Sequence, residues 1–272
     1  MIYCYINLDE AKQRRYQVEA QLKKYAEKNE EIVRIAAISP TSKEVITRKG
    51  RTRDSQKSVY LSHLMALKRA AQTQEPTLIV EDDVRLLPQT LPNLKSILNN
   101  LPKTGWDILF TDIIVTTLEN IKFFHKITES QRVAKKIRIQ NLQKLIYAGA
   151  TSYVANPNSI HKLITQLEAP RRQDSPWDMT LRYLIHKQKI KGFVTVPFLT
   201  TVTNEANNSE NQLTSTKVTD QVWNATRQLL TAPDERNKVE AEIEEIFEGL
   251  TQQQKTIAKL MGCYLSDRFV PK

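Results

Sequence analysis

The sequence predicts an α/β protein, a mainly parallel sheet covered by helices on both faces. Three observations lead there. Short apolar runs rich in β-forming residues recur along the chain and alternate with stretches of helical spacing. The first of these units reads strand–helix–strand, an arrangement that normally gives parallel strands with a right-handed crossover. The chain has 272 residues, 40% hydrophobic and 26% charged, enough to bury a sizeable core and too apolar for a disordered chain.

Taken in order, Ile2-Tyr3-Cys4-Tyr5-Ile6 is a buried strand and Asn7-Leu8-Asp9 its turn or helix cap. A helix follows over Glu10 to Lys28, with Tyr16, Ala20, Leu22 and Tyr25 marking its apolar side, and Ile32 to Ile38 is the second strand. Ser39 to Ser58 is charged and without period, hence a long loop, the kind that is functional or disordered. Val59 to Ala71 resumes helical spacing. Thr77 to Val80 is a short strand that runs directly into Glu81-Asp82-Asp83. Pro92 to Leu101 is a helix, and Trp106 to Phe110 a strand followed by Asp112. Glu119 to Asn141 shows little pattern and reads as a mobile insertion around short helices. A strand at Ala148 to Ala155, helices from Pro157 and Pro176, and a strand at Gly192 to Val196 complete the alternation. Thr200 to Thr216 reads as a loop or linker, and helices are expected over Val218 to Leu230 and Asp234 to Gly262. The domain division is therefore 1–216 for the α/β unit and 217–272 for a helical extension packed on it.

Several classes are excluded. With 6 glycines the chain has neither a G-x-x-x-x-G-K-[ST] loop nor a G-x-G-x-x-G turn. Cys4 and Cys263 give no disulfide framework or zinc site, and Cys4 reads as a small core residue. The N-terminus lacks a signal-peptide pattern, and no apolar run approaches the ~18 residues that span a bilayer, so a soluble cytoplasmic protein is expected.

The formal net charge of +10 calls for an anionic partner. It concentrates in Lys43–Lys57 (Lys43, Arg48, Lys49, Arg51, Arg53, Lys57) and Glu119–Lys144 (Lys122, Lys126, Arg132, Lys135, Lys136, Arg138, Lys144). These are either solvated surface or two basic flanks of an anionic site.

The acids after the third strand carry the chemistry. Ligands of open α/β sheets bind beyond the carboxyl ends of strands. In an extended segment Glu81 and Asp83 share a side, about 6–7 Å apart, while Asp82 points away. Such a pair suits Mg²⁺ or Mn²⁺ with substrate phosphates as further ligands. The plainer reading is an acidic turn capping the next element. Adjacent like charges after a buried strand are costly without a counter-ion, which favours a cation.

The ordered segments Tyr5-Ile6-Asn7-Leu8-Asp9 with Arg14-Arg15, Leu61-Ser62-His63 and Leu78-Ile79-Val80-Glu81-Asp82-Asp83-Val84 resemble glycosyltransferase family 25. This is the group of bacterial lipooligosaccharide and collagen galactosyltransferases. Ala148-Gly149-Ala150-Thr151-Ser152-Tyr153 and Pro176-Trp177-Asp178-Met179-Thr180-Leu181 resemble its later blocks, so the likeness spans about 1–213. Where the family usually has Gly-Cys before Ser-His, this chain has Val59-Tyr60.

The resemblance implies a GT-A-type fold, a UDP-sugar donor, Mn²⁺ or Mg²⁺, and inversion at the anomeric carbon. It implies Glu81 and Asp83 as metal and diphosphate ligands, and Asn7, Leu8 and Arg14 near the nucleotide with Asp82 beside them. Asp178 is the implied general base for the acceptor hydroxyl, with Asp112 as its rival. His63 is either a phosphate contact or a helix-start histidine bonded to backbone, and Trp177 either stacks on a sugar or fills the core.

The expected partners are the UDP-sugar and a saccharide acceptor, lipid-linked if basic loops hold the protein on the inner face of the plasma membrane. No recognition helix, RNP-like aromatic set or zinc spacing points to specific nucleic-acid binding. A nucleotidyltransferase would need a triphosphate loop that is absent. The remaining alternative is a degenerate member that binds nucleic acid or membrane surfaces through charge alone.

Overall fold

The structure, a computed structural model, describes residues 1–170, 172–203, 223–224, 226–231 and 252. The strands are β1 (Ile2–Asn7), β2 (Glu31–Ala36), β3 (Thr77–Glu81), β4 (Val84–Leu86), β5 (Ile108–Phe110), β6 (Ile114–Val115), β7 (Arg138–Asn141), β8 (Tyr147–Ala148), β9 (Ser152–Ala155), β10 (Gly192–Val196) and β11 (Thr200–Val202). The helices are α1 (Lys12–Tyr25), α2 (Lys43–Thr47), α3 (Asp54–Ala70), α4 (Thr90–Asn100), α5 (Leu118–Ala134), α6 (Ile160–Glu168) and α7 (Trp177–His186).

Seven strands form the central sheet in the order β2-β1-β3-β9-β5-β10-β7. β1 is parallel to β2 and β3, and β5 is parallel to β10; β9 and β7 run antiparallel to their neighbours. The sheet is thus largely parallel, as the alternation predicts.

Its period-2 side chains feed two cores. Ile2, Cys4, Ile6, Ile79, Tyr153 and Ala155 join the cluster under α3, α6 and α7. Tyr3, Tyr5, Leu78, Val80 and Val154 join the opposite cluster with Val18 and Leu22 of α1 and Leu91 and Leu94 of α4. Cys4 is a buried core residue, as read.

Four expectations change. α1 turns Val18 and Leu22 inward and leaves Tyr16 71% exposed, because positions 18, 22 and 25 rather than 16 share the inner face at 3.6 residues per turn. The stretch 39–58 contains α2, capped by the Ser42 hydroxyl, and the start of α3; Lys57 is buried against Asp54 at 2.9 Å instead of adding to a basic flank. The stretch 119–141 is one 17-residue helix and a strand. Ile121, Phe124 and Thr128 face the core at helical spacing, a pattern hidden by the lysines between them. Finally, β11 lies within the expected loop and pairs antiparallel with β4.

Of the expected C-terminal helices, residues 223–224 and 226–229 are helical. The domain boundary at 216/217, Cys263 and the helix over 234–262, apart from residue 252, which is helical, fall outside the described residues. No helix among the described residues is long and apolar enough to cross a membrane.

Candidate active site

The C-terminal ends of β1 and β3 lie side by side, because β1 pairs with β3 in register Ile6↔Glu81. This places Asn7 and Leu8 next to Glu81-Asp82-Asp83. β3 ends at Glu81, and Asp82-Asp83 form the turn into β4. The extended geometry that would turn Asp82 away therefore stops one residue early. Instead, all three acids line one cavity with Asn7, Leu8, Arg14 and His63.

Each acid has a different environment. Asp82 is buried and accepts from Asn7 Nδ2 at 2.6 Å, with Arg14 Nη1 at 3.1 Å. Burial pushes its carboxyl up, and the Asn7 bond and the Arg14 charge offset only part of that. Asn7 is itself fixed by a bond to the Ala11 carbonyl and by Arg34.

Glu81 keeps a third of its side chain exposed and accepts from His63 Nε2 at 3.1 Å. Burial acts to raise its carboxyl, but the His63 hydrogen bond and charge, with Arg227 and Arg14 nearby, hold it below its ordinary value. Asp83 has no such bond. Its Oδ1 is buried without a partner among the described residues, and burial together with the Glu81 and Asp82 charges pushes it up to about 7.

His63 is not a helix-start residue. α3 begins at Asp54, and both ring nitrogens bond side chains: Nε2 to Glu81, and Nδ1 to the Tyr153 hydroxyl at 3.0 Å. Since the carboxylate can only accept, Nε2 carries the proton. The ring stacks on Trp177 at 4.9 Å and 7°. Trp177 is 2% exposed, so it serves the core and orients His63. Tyr153 lies in the block around 148–153; its role as the far end of this chain had no local signal.

A second cavity adjoins the first and shares Glu81 and Val59 with it. It is lined by Gly149, Ala150, Thr151, Trp177 and Asp178. Asp178 stands in the first turn of α7, and its Oδ2 accepts from the Gly149 N–H at 2.8 Å. Gly149 holds φ +78, a left-handed backbone that glycine adopts at no steric cost and that separates β8 from β9. The cavities hold about 100 and 320 Å³, together at the low end of small-molecule sites, ~300–1,000 Å³.

Asp112 sits apart from both cavities' linings. It is fully buried, paired with the Arg227 guanidinium and accepting from the Thr200 hydroxyl. The residues predicted around the nucleotide thus converge with Glu81–Asp83, Asp178 faces the neighbouring cavity, and Asp112 occupies an internal ion pair. Arg227 was missed in the sequence because 115 positions separate it from its partner.

Among the described residues no group of three or more His, Cys, Asp or Glu is arranged to hold a metal ion. Glu81 and Asp83 fit a cation that takes one or two carboxylates and completes its shell with water and substrate phosphates, and the orphaned Asp83 Oδ1 is a free oxygen for it.

The profile of glycosyltransferase family 25 (LPS biosynthesis protein) matches residues 1–181. The chain belongs to glycosyltransferase family 25. The matched region contains both cavities and every predicted site residue. Comparison with curated proteins finds no significant match. As a family 25 member the protein is a glycosyltransferase, with a sugar donor and a saccharide acceptor as its partners. Arg227 lies beyond the matched residues.

Proposed function

We propose that this glycosyltransferase moves a hexose, galactose or a close relative, from a UDP-sugar to a hydroxyl of a saccharide acceptor such as lipopolysaccharide, with inversion at the anomeric carbon. The observation that carries the reading is the pair of adjoining cavities sharing Glu81, one bearing the acidic turn and Arg14, the other bearing Asp178. The first takes the nucleotide diphosphate; the second takes the acceptor. The mainly parallel sheet, with its ligand site at the strand carboxyl ends, supports a GT-A-type assignment.

Asp178 accepts the proton of the acceptor hydroxyl. The acceptor oxygen then forms the new glycosidic bond as the bond from the anomeric carbon to the diphosphate breaks, and UDP leaves with that electron pair. The Gly149 N–H fixes the Asp178 carboxylate for this work. Arg14 and Asn7 hold Asp82, and His63 holds Glu81, so the acidic turn does not need to reorganise during transfer. When Mn²⁺ or Mg²⁺ is bound by Glu81 and Asp83, it supplies charge neutralisation for the departing diphosphate. Asp112, closed off by Arg227, is the weaker candidate for the base.

Exposed Lys126, Lys135, Lys136, Arg138 and Lys144 on and after α5 support a peripheral contact with an anionic membrane surface at the cytoplasmic face, where a lipid-linked acceptor would be presented. The test of the base is Asp178→Asn. Turnover of UDP-galactose with an oligosaccharide acceptor falls by on the order of 10²–10⁴ while UDP affinity stays within about twofold. Unchanged turnover removes Asp178 from the mechanism.

A further inference from the structure

The two cavities of the candidate site meet at a neck. Of the residues that line them, Glu81 and Val59 line both. Val59 belongs to α3, which runs alongside the two spaces. Ser55, Ser58, Ser62 and His63 of this helix line the first cavity, and Gln56 lines the second. Val59 stands four residues after Ser55 and three after Gln56, so helical spacing sets its side chain beside both groups.

The helix holds this wall in place. The Ser58 hydroxyl donates to the Ile38 carbonyl, and the Ile38 N–H donates to the Ser62 hydroxyl at 2.9 Å. The Tyr60 hydroxyl donates to the Leu167 carbonyl at 2.7 Å. Val59 itself is half-buried and packs on the core. A valine in a helix keeps essentially one χ1 rotamer, so its methyl groups do not swing aside. Glu81, the other residue of the neck, is tied to His63 Nε2.

A transferred sugar has to occupy this neck. Its anomeric carbon is bonded to the diphosphate in the first cavity, and the acceptor oxygen reaches it from the second, where Asp178 stands. The sugar therefore meets a carboxylate, which can accept from its hydroxyls, and a stiff apolar wall, which offers no hydrogen bond. Such a wall gives a polar substituent nothing to bond and discriminates by size alone.

We propose that Val59 is a specificity-determining residue for the donor: its side chain bounds the sugar at the neck, so that an unsubstituted hexose is accepted and an N-acetylhexosamine, bulkier by its acetamido group, is rejected. The inference rests on the donor- and acceptor-site reading given above and names which donors that site takes.

The experiment measures kcat/KM for UDP-galactose and UDP-N-acetylgalactosamine, with MnCl₂, in wild type and three variants. UDP release is read both with an oligosaccharide acceptor and with water alone in its place, which separates an effect on the donor from one on the acceptor. Wild type prefers UDP-galactose. Val59→Ala removes the two methyl groups and shifts the ratio toward the N-acetylated donor by about tenfold or more in both assays. Val59→Thr keeps the branched shape and holds the ratio within about threefold of wild type. Val59→Ile thickens the wall and lowers kcat/KM for UDP-galactose, while affinity for UDP, which carries no sugar, stays within about threefold.

A Val59→Ala protein in which both donors change by the same factor shows that Val59 only packs α3, and overturns the proposal. So does a ratio that shifts only with the oligosaccharide present, which puts the effect on the acceptor, and so does a wild type that uses both donors equally. If Val59→Ala does not fold, Val59→Ile decides: undiminished turnover of UDP-galactose overturns the proposal. A wild-type chain that neither binds UDP nor releases it from either donor overturns the donor-site reading itself, and this inference with it.

Discussion

Two strands of the sheet end in acids, and the structure treats them in opposite ways. β3 runs into Glu81-Asp82-Asp83, whose side chains line a cavity and whose charge is incompletely matched, with Asp83 Oδ1 left unpartnered among the described residues. β5 is followed by Asp112, which is fully buried and matched by Arg227 and Thr200. Position at a strand's carboxyl end is shared; completeness of the counter-charge is not. An acid whose partners are all supplied from within the protein holds the fold together, and an acid left short of a partner is available to a ligand.

That contrast can be broken by mutation. The largest stability effect is expected at the closed acid. Asp112→Ala leaves the Arg227 charge buried and unpaired, and costs about 3–5 kcal/mol in denaturant unfolding. A loss under about 1 kcal/mol would mean that Arg227 reaches solvent and the pair is not a structural one.

The open acid behaves differently. Asp83 titrates near 7 in the folded chain against 3.8 for the free side chain. Its folded pKa is raised, so its contribution to stability is fully present below about pH 4 and is lost as pH rises through 7. Asp83→Asn mimics the protonated acid. In metal-free buffer its thermal midpoint matches wild type near pH 4, rises above it between about pH 4 and 7 and levels off above that; a difference that does not vary with pH across that window contradicts the assignment.

The smallest effect is expected behind Glu81. Tyr153→Phe removes the hydroxyl that bonds His63 Nδ1 and costs about 0.5–1.5 kcal/mol, with a modest loss of turnover. Full activity and stability would show that His63 needs no support from that side.

Much of this was legible in the sequence because it is local. The apolar runs of β1, β3 and β10 are short and β-rich, and the acidic turn follows its strand without a gap. Asn7, Leu8 and Arg14 reach the turn because β1 also pairs with β3, a neighbour that the β-α-β opening does not give, since that unit accounts only for β1 beside β2. What stayed hidden is long-range. The core face of α5 is carried by Ile121, Phe124 and Thr128 among lysines, so its period looks polar. His63 gains both its partners from other strands, Glu81 at the end of β3 and Tyr153 in β9. Asp112 reads as open until Arg227 arrives from the far end of the chain. Nothing near either residue in the sequence announces the pair.

The central claim, that Glu81-Asp82-Asp83 is the nucleotide-sugar site, is tested most directly by calorimetric titration of UDP with and without Mn²⁺ into wild type and Asp83→Ala. The account predicts Mn²⁺-dependent binding by wild type and loss of that binding in Asp83→Ala, with the thermal midpoint in metal-free buffer preserved or raised. Undiminished UDP binding by a folded Asp83→Ala protein would contradict it.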